Sequence, residues 1–113
     1  MRIAIVGSRE FKNYSLMKEK YLEITKDMKV DAIVSGGARG ADTLAEQLAK
    51  ELETTLIVYV AEWKKFGKAA GMIRNSTIVE VSDIIIAFPI GSSVGTWDTI
   101  RKAKKVNKPV YVF

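Results

Sequence analysis

The sequence predicts an α/β protein: a Rossmann-like open parallel sheet of about five strands in the order 3-2-1-4-5, with helices on both faces. Three observations carry that prediction. Five short apolar runs, mostly β-branched, alternate with four helical periods. The runs are continuous rather than alternating, the pattern of strands covered on both faces in a parallel sheet. Three of them end in a glycine-bearing break that opens onto a helix, and such breaks gather where ligands bind an open α/β sheet.

The elements follow in chain order. Ile3–Val6 is the first strand, ended by Gly7-Ser8-Arg9. Tyr14, Met17, Tyr21, Ile24 and Met28 recur three and four apart and form one helical stripe. Ala32–Ser35 is the second strand. It runs into Gly36-Gly37-Ala38-Arg39-Gly40, and Ala41, Leu44, Ala45, Leu48, Ala49 and Leu52 make the second stripe. Leu56–Val60 is the third strand. The stretch 61–68 shows neither period and is the longest irregular segment. Ala70, Ile73, Thr77, Ile78 and Val81 give the third stripe. Ile84–Phe88 is the fourth strand, followed by Gly91-Ser92-Ser93-Val94-Gly95-Thr96. Thr96, Ile100 and Ala103 begin the fourth helix, which Asn107 and Pro109 stop. Val110–Phe113 is the last strand.

The strand order rests on the glycine breaks. They follow strands one, two and four, which are neighbours in 3-2-1-4-5, with the switch point between one and four. In 2-1-3-4-5 the third strand would separate them.

Composition bounds the chemistry. The 113 residues form one domain, 1–113, and 48% hydrophobic with 27% charged content is ordinary for a globular chain. With no cysteine and no histidine, there is no disulfide, no thiolate zinc site and no histidine base. No apolar run reaches the length of a membrane span. The sequence starts on a strand pattern without a signal-peptide layout, so a cytoplasmic location is expected. The net charge of +5 suits an anionic partner. The basic clusters, Arg101–Lys105 and Lys64-Lys65 with Lys68, read as solvated surface, without the aromatic interleaving of a single-strand nucleic-acid platform.

The breaks supply the candidate site. A strand that ends in glycine and opens a helix offers backbone N–H groups to a phosphate. Gly7, Ser8 and Arg9 contribute a cationic clamp. Gly36, Gly37, Ala38, Arg39, Gly40 and Asp42 open the second helix without the spacing of a P-loop or a dinucleotide fingerprint. Gly91, Ser92, Ser93, Gly95 and Thr96 add hydroxyls and amides at the fourth. Arg74 and Asn75 lie beside the buried positions Ala70 and Ile73 and need partners, either a ligand or a carboxylate. Trp97 is expected in the core or the pocket wall, and Trp63 and Phe66 as a lid on a base or a cap on the core. Asp42, Glu46, Glu62, Asp83 and Asp98 are the carboxylates near these loops. Their spacing matches no metal site, and no metal is expected.

Gly7-Ser8-Arg9, Gly36–Asp42, Ala70-Gly71-Met72-Ile73-Arg74-Asn75 and Phe88–Thr96 together resemble the SLOG superfamily, which groups DprA/Smf proteins with the cytokinin-activating LOG enzymes. The resemblance is greatest to its small bacterial and phage-borne YspA-like branch. It implies a Rossmann-like fold, a nucleotide or nucleotide-derived ligand, no further cofactor, and a homodimer. It places Gly36, Gly37, Arg39, Gly91, Gly95 and Thr96 on the phosphate side and Arg74 and Asn75 on the ribose or leaving-group side. LOG enzymes hydrolyse nucleoside monophosphates with a glutamate that follows a Pro-Gly-Gly-x-Gly-Thr motif. Here Pro89-Ile90-Gly91 replaces its start, one residue is inserted before Gly95, and Thr99 holds the glutamate position. Threonine supplies no carboxylate for acid–base work, and Asp98 points about 100° away on an ideal helix.

The leading expectation is therefore a module that binds a phosphorylated small molecule, as a sensor or sequestering protein. A LOG-like phosphoribohydrolase with Arg74 and Asp98 at its centre is the alternative, and DprA-like binding of DNA ranks third.

Overall fold

A computed structural model describes residues 1–113. Five parallel strands, β1 (Arg2–Gly7), β2 (Ala32–Ser35), β3 (Thr55–Val58), β4 (Ile84–Phe88) and β5 (Val110–Val112), form one sheet in the order β3-β2-β1-β4-β5. All four pairings are parallel, and β1 against β4 is the longest, from Ile3 opposite Ile84 to Gly7 opposite Phe88. The predicted order holds.

The alternation of side chains along each strand divides the core in two. Ile3, Ile5, Ile33, Ile84, Ile86 and Phe88 face α1 (Tyr14–Thr25) and α2 (Ala41–Glu51), where Met17, Tyr21, Ala45 and Leu48 cover them. Ala4, Val6, Val34, Ile85 and Ala87 face α4 (Ala70–Val81) and α5 (Val94–Lys105), under Ile78, Val79, Ile100 and Ala103. Each isoleucine fully withdrawn from water contributes roughly 1.5–3 kcal/mol, so the three central strands hold the sheet together. Asn13 caps α1, its Oδ1 accepting from the Leu16 amide at 3.1 Å.

Four expectations need correction. Burial on both faces describes β1, β2 and β4, whereas β3 and β5 are edge strands with exposed residues. The first helix ends at Thr25, so Met28 lies in the following turn. The segment 61–68 is not irregular: a single helical turn, α3 (Trp63–Phe66), passes into a 3-10 turn over Gly67–Ala69. Ile73 is exposed, because α4 turns Ala70, Asn75 and Ile78 inward instead. No helix is long and apolar enough to cross a membrane.

Candidate functional site

The loops after β1, β2 and β4 meet at the carboxyl ends of the strands, around the switch point between β1 and β4. They enclose a cavity of about 350 Å³. Its wall includes Gly7, Ser8, Arg9, Gly36, Ala38, Asp42, Arg74, Asn75, Ser92, Ser93, Gly95 and Thr96. Gly37 and Arg39 lie outside it, in an adjoining shallow groove that Arg9, Ala38, Thr43 and Glu46 complete. Gly40 and Gly91 line neither.

Close backbone approach explains two of the glycines. A side chain at Gly40, where φ is +72°, would meet the Ser8 and Arg9 carbonyl oxygens at 2.4 Å. This contact lets the Ala41 amide donate to Ser8 O at 3.1 Å and so ties the start of α2 to the end of β1. A Cβ on Gly36 would lie 2.7 Å from Arg74 Nη1, so glycine here is what allows the arginine to cross β2.

Arg74 is fixed by two bonds: Nη1 donates to Gly36 O at 2.7 Å and Nε to Asn75 Oδ1 at 2.9 Å. Its Nη2 makes no protein hydrogen bond and remains a free donor of a planar cation. Asn75 is buried and carries the network onward. Its Nδ2 donates to Gly95 O at 3.2 Å and to Asp98 Oδ2 at 3.1 Å. Asp98 also accepts from Lys102 Nζ at 2.9 Å, and Lys102 donates to Met72 O at 2.7 Å. The network joins β2, α4 and the first turn of α5. Asp98, a candidate acid or base, is 6% exposed, turned onto these partners and absent from the cavity wall. Thr99 lines the cavity, and its hydroxyl donates to Gly95 O at 3.1 Å.

The start of α5 is open. Its first intrahelical bond runs from the Trp97 amide to Ser93 O, so the amides of Val94, Gly95 and Thr96 precede the ladder. Ser93 does not cap them. Its hydroxyl turns back to Ile90, donating to the carbonyl at 2.7 Å and accepting from the amide at 3.1 Å. Ser93 has φ +22°, a strained value for a non-glycine residue, and these two bonds hold it there. Thr96 is 6% exposed and lines the cavity; its hydroxyl makes no protein hydrogen bond and is open to the cavity.

The single buried carboxylate on the wall is Asp42. Burial holds its carboxyl above the ordinary carboxylate range; the Ala38 N–H (3.0 Å) and the charge of Arg74 pull the other way. Two expectations fail here. Trp97 is 37% exposed and lines neither cavity nor groove. Asp83 is far from the site: it accepts from the Arg2 amide at the amino ends of β1 and β4. Lys64 and Lys65 are in fact flanked by aromatics, since Trp63 and Phe66 stand exposed beside them and Lys65 Nζ lies 5.1 Å from the Phe66 ring.

Several residues escaped the sequence reading. Val6, Glu10, Ile78, Ile90 and Val94 complete the wall. The Asp98–Lys102 pair had a signal in its i, i+4 spacing. The contact of Asn75 with Gly95, twenty residues away, had none.

This geometry coincides with the likeness to known proteins. The profile of the YspA, cpYpsA-related SLOG family matches residues 1–66. The Gene 61 protein of Mycobacterium phage D29 is 35% identical, over 99% of this chain and 95% of that protein. The chain belongs to the YspA, cpYpsA-related SLOG family. Among solved structures, DNA processing protein A (DprA) from Streptococcus pneumoniae superposes with a TM-score of 0.79 at 19% identity, covering 98% of this chain and 49% of that one. DprA from Helicobacter pylori, described for its single-stranded DNA binding mode, gives 0.66 at 24% identity, over 99% and 64%. At such identities the likeness is one of fold. The SLOG chain spans about half to two thirds of these two DprA chains.

Proposed function

We propose that this SLOG-family chain binds a nucleotide or nucleotide-derived phosphorylated ligand at the carboxyl edge of its sheet, as a sensor or sequestering module. One observation carries the reading: the Thr96 hydroxyl, without a protein partner and open to the cavity, on a residue otherwise nine-tenths buried beside the uncapped first turn of α5. A phosphate there accepts from the hydroxyl and from free helix amides, which the helix dipole reinforces. The free Nη2 of Arg74 and the exposed Arg9 add positive charge. The ligand is the only small molecule this role requires. Binding without hydrolysis fits the carboxylates: Thr99 stands at the LOG glutamate position, and Asp98 is engaged by Asn75 and Lys102.

The test is mass spectrometry of small molecules released by denaturing the purified protein, followed by calorimetry with the compound found and an assay for free base. A stoichiometric nucleotide-like compound, bound and unchanged, is the expected result. Base release that Asp98→Asn abolishes would establish the hydrolase instead. No released compound and no binding from a nucleotide panel would remove both.

The exposed Trp63 and Phe66 among Lys64, Lys65 and Lys68 favour a second reading, binding of single-stranded DNA, as stated of the H. pylori protein. It predicts affinity that falls steeply with salt and is insensitive to Thr96→Val.

A further inference from the structure

Residues 63–69 are helical and bury nothing. The single turn of α3 and the 3-10 turn after it leave every one of their residues exposed, Trp63 and Phe66 among them. Short helical turns hold in a folded chain by burying an apolar face; here the aromatics stand in solvent. They form a patch with their neighbours. Phe66 walls a cavity of about 240 Å³ together with Tyr59, Val60 and Ile73, above Ala70 and Thr77. Trp63 lies against the first turn of α4, where a Cβ on Gly71 would come within 3.4 Å of its ring. Val60, Trp63, Phe66 and Ile73 are all exposed, apolar surface that the core does not cover. The charge of the patch is one-sided. Lys64, Lys65 and Lys68 stand on the same two turns, and none of them is in an ion pair. Lys65 Nζ lies 5.1 Å from the Phe66 ring, which brings positive charge to the cavity mouth. The one carboxylate is Glu62, and it belongs to the cavity wall.

We infer that this surface docks an acidic amphipathic segment of another protein. A large apolar side chain of the segment seats among Val60, Phe66 and Ile73, and its flanking carboxylates meet the lysines. The inference stands apart from any ligand at the switch point. Charge decides the occupant. A second copy presenting the same patch would set unpaired lysines against unpaired lysines, and such an isologous contact repels. A nucleic-acid strand carries a phosphate at every residue, so one of them must pass Glu62, and Val60 and Ile73 offer no face on which a base stacks. A peptide can vary its chemistry along its length. It places a backbone N–H or a hydroxyl at Glu62, whose ionised oxygens only accept, and keeps its carboxylates for Lys64, Lys65 and Lys68. An apolar anchor in a pocket with a charged rim is the arrangement that concentrates affinity in a few side chains.

The probe is a library of short random peptides displayed on phage and selected on the immobilised wild-type chain. The peptides that enrich should share a large apolar residue flanked by Asp or Glu. Affinity of synthetic copies, read by fluorescence polarisation, should fall at least about tenfold in Phe66→Ala. The double change Lys64→Glu with Lys65→Glu should weaken them by a similar factor and remove the salt dependence of binding. Ile73→Ala truncates the opposite wall of the same cavity and should also weaken them. All these positions are exposed, so the variants should fold, and their melting curves check this. No enriched peptide, enrichment of basic ones, or binding indifferent to both Phe66→Ala and Ile73→Ala overturns the proposal. Oligothymidylate that binds more tightly than the selected peptides, and is lost in Phe66→Ala, overturns it in favour of DNA. A dimer in light scattering that Phe66→Ala dissolves overturns it in favour of a second copy.

Discussion

The starts of α2 and α5 descend from the same kind of sequence, a buried strand, a glycine break and a helix, and they end in opposite states. At α2 the protein satisfies itself. The Ala41 amide donates to Ser8 O, the Asp42 carboxylate accepts from the Ala38 amide, and Gly40 is pressed against two carbonyls. At α5 the residue placed to cap the helix turns its hydroxyl back onto Ile90, and three amides and the Thr96 hydroxyl are left facing the cavity. The first loop spends its glycines on tertiary packing, and the second keeps its polar groups for something else. Glycine count alone does not separate the two. The direction in which the first-turn groups are bonded does.

The largest expected effect tests the packing half of that contrast. Gly40→Ala would force a side chain into the Ser8 and Arg9 carbonyls at a left-handed φ, and should cost about 3 kcal/mol or more, lowering the melting temperature by roughly 10 °C or more. Gly91→Ala shares a left-handed φ, +59°, but meets nothing within 4 Å. Strain alone then applies, about 1 kcal/mol. Thermal denaturation of the pair should show that gap, and equal losses would mean that the α2 start is no more tightly built than the α5 loop.

The pH dependence of the α2 start sharpens the same point. Burial raises the Asp42 pKa in the folded chain, so the folded state keeps this proton to higher pH than the unfolded state does. The associated stability is present below the unfolded value, about 3.9, and is lost as pH rises through the raised folded value. Asparagine at this position keeps an acceptor for the Ala38 amide and carries no charge. Urea unfolding across pH 3 to 7 should therefore find wild type losing stability relative to Asp42→Asn as pH rises. The opposite trend would mean that Arg74 and the backbone amides outweigh burial.

A change at Asn75 reaches α5 indirectly. Asn75→Leu removes the donor to Gly95 O and to Asp98 and leaves the buried Asp98 carboxylate and the partly exposed Gly95 carbonyl each a bond short, at a cost of about 2 kcal/mol. Because Gly95 lies in the open turn, ligand affinity should fall along with stability. Lys102→Met keeps the Asn75 bonds and should cost less, since its ion pair with Asp98 is partly solvated.

The sequence made the sheet, its order and the gathering of three loops readable, because buried parallel strands need continuous β-branched runs, and glycine breaks mark where they end. Twelve of the sixteen residues picked out as ligand contacts line one cavity. What was not readable depends on contacts across the fold. Whether Arg39 faces inward or out onto the adjoining groove is set by the turn at Gly40, whose shape depends on Ser8 and Arg9. Trp97 follows Thr96 directly, and a rotation of one helical residue puts one in the cavity wall and the other on the surface. The half-exposed character of β3 and β5 follows from their place at the edges, which the predicted strand order already implied and their continuous apolar runs concealed.

Thr96→Val is the smallest change and the most discriminating. It preserves the shape of a buried side chain and deletes one hydroxyl that no protein group uses. Nothing inside the chain depends on that oxygen, so stability should change little. If the open turn of α5 holds a phosphate, the same substitution removes one hydrogen bond to a charged group, and affinity for a nucleoside monophosphate should fall about tenfold. A variant that is as stable as wild type and binds worse locates the ligand at α5. Unchanged binding would move it to the groove beside α2, where Arg9 and Arg39 lie, and would reverse the roles assigned to the two helix starts.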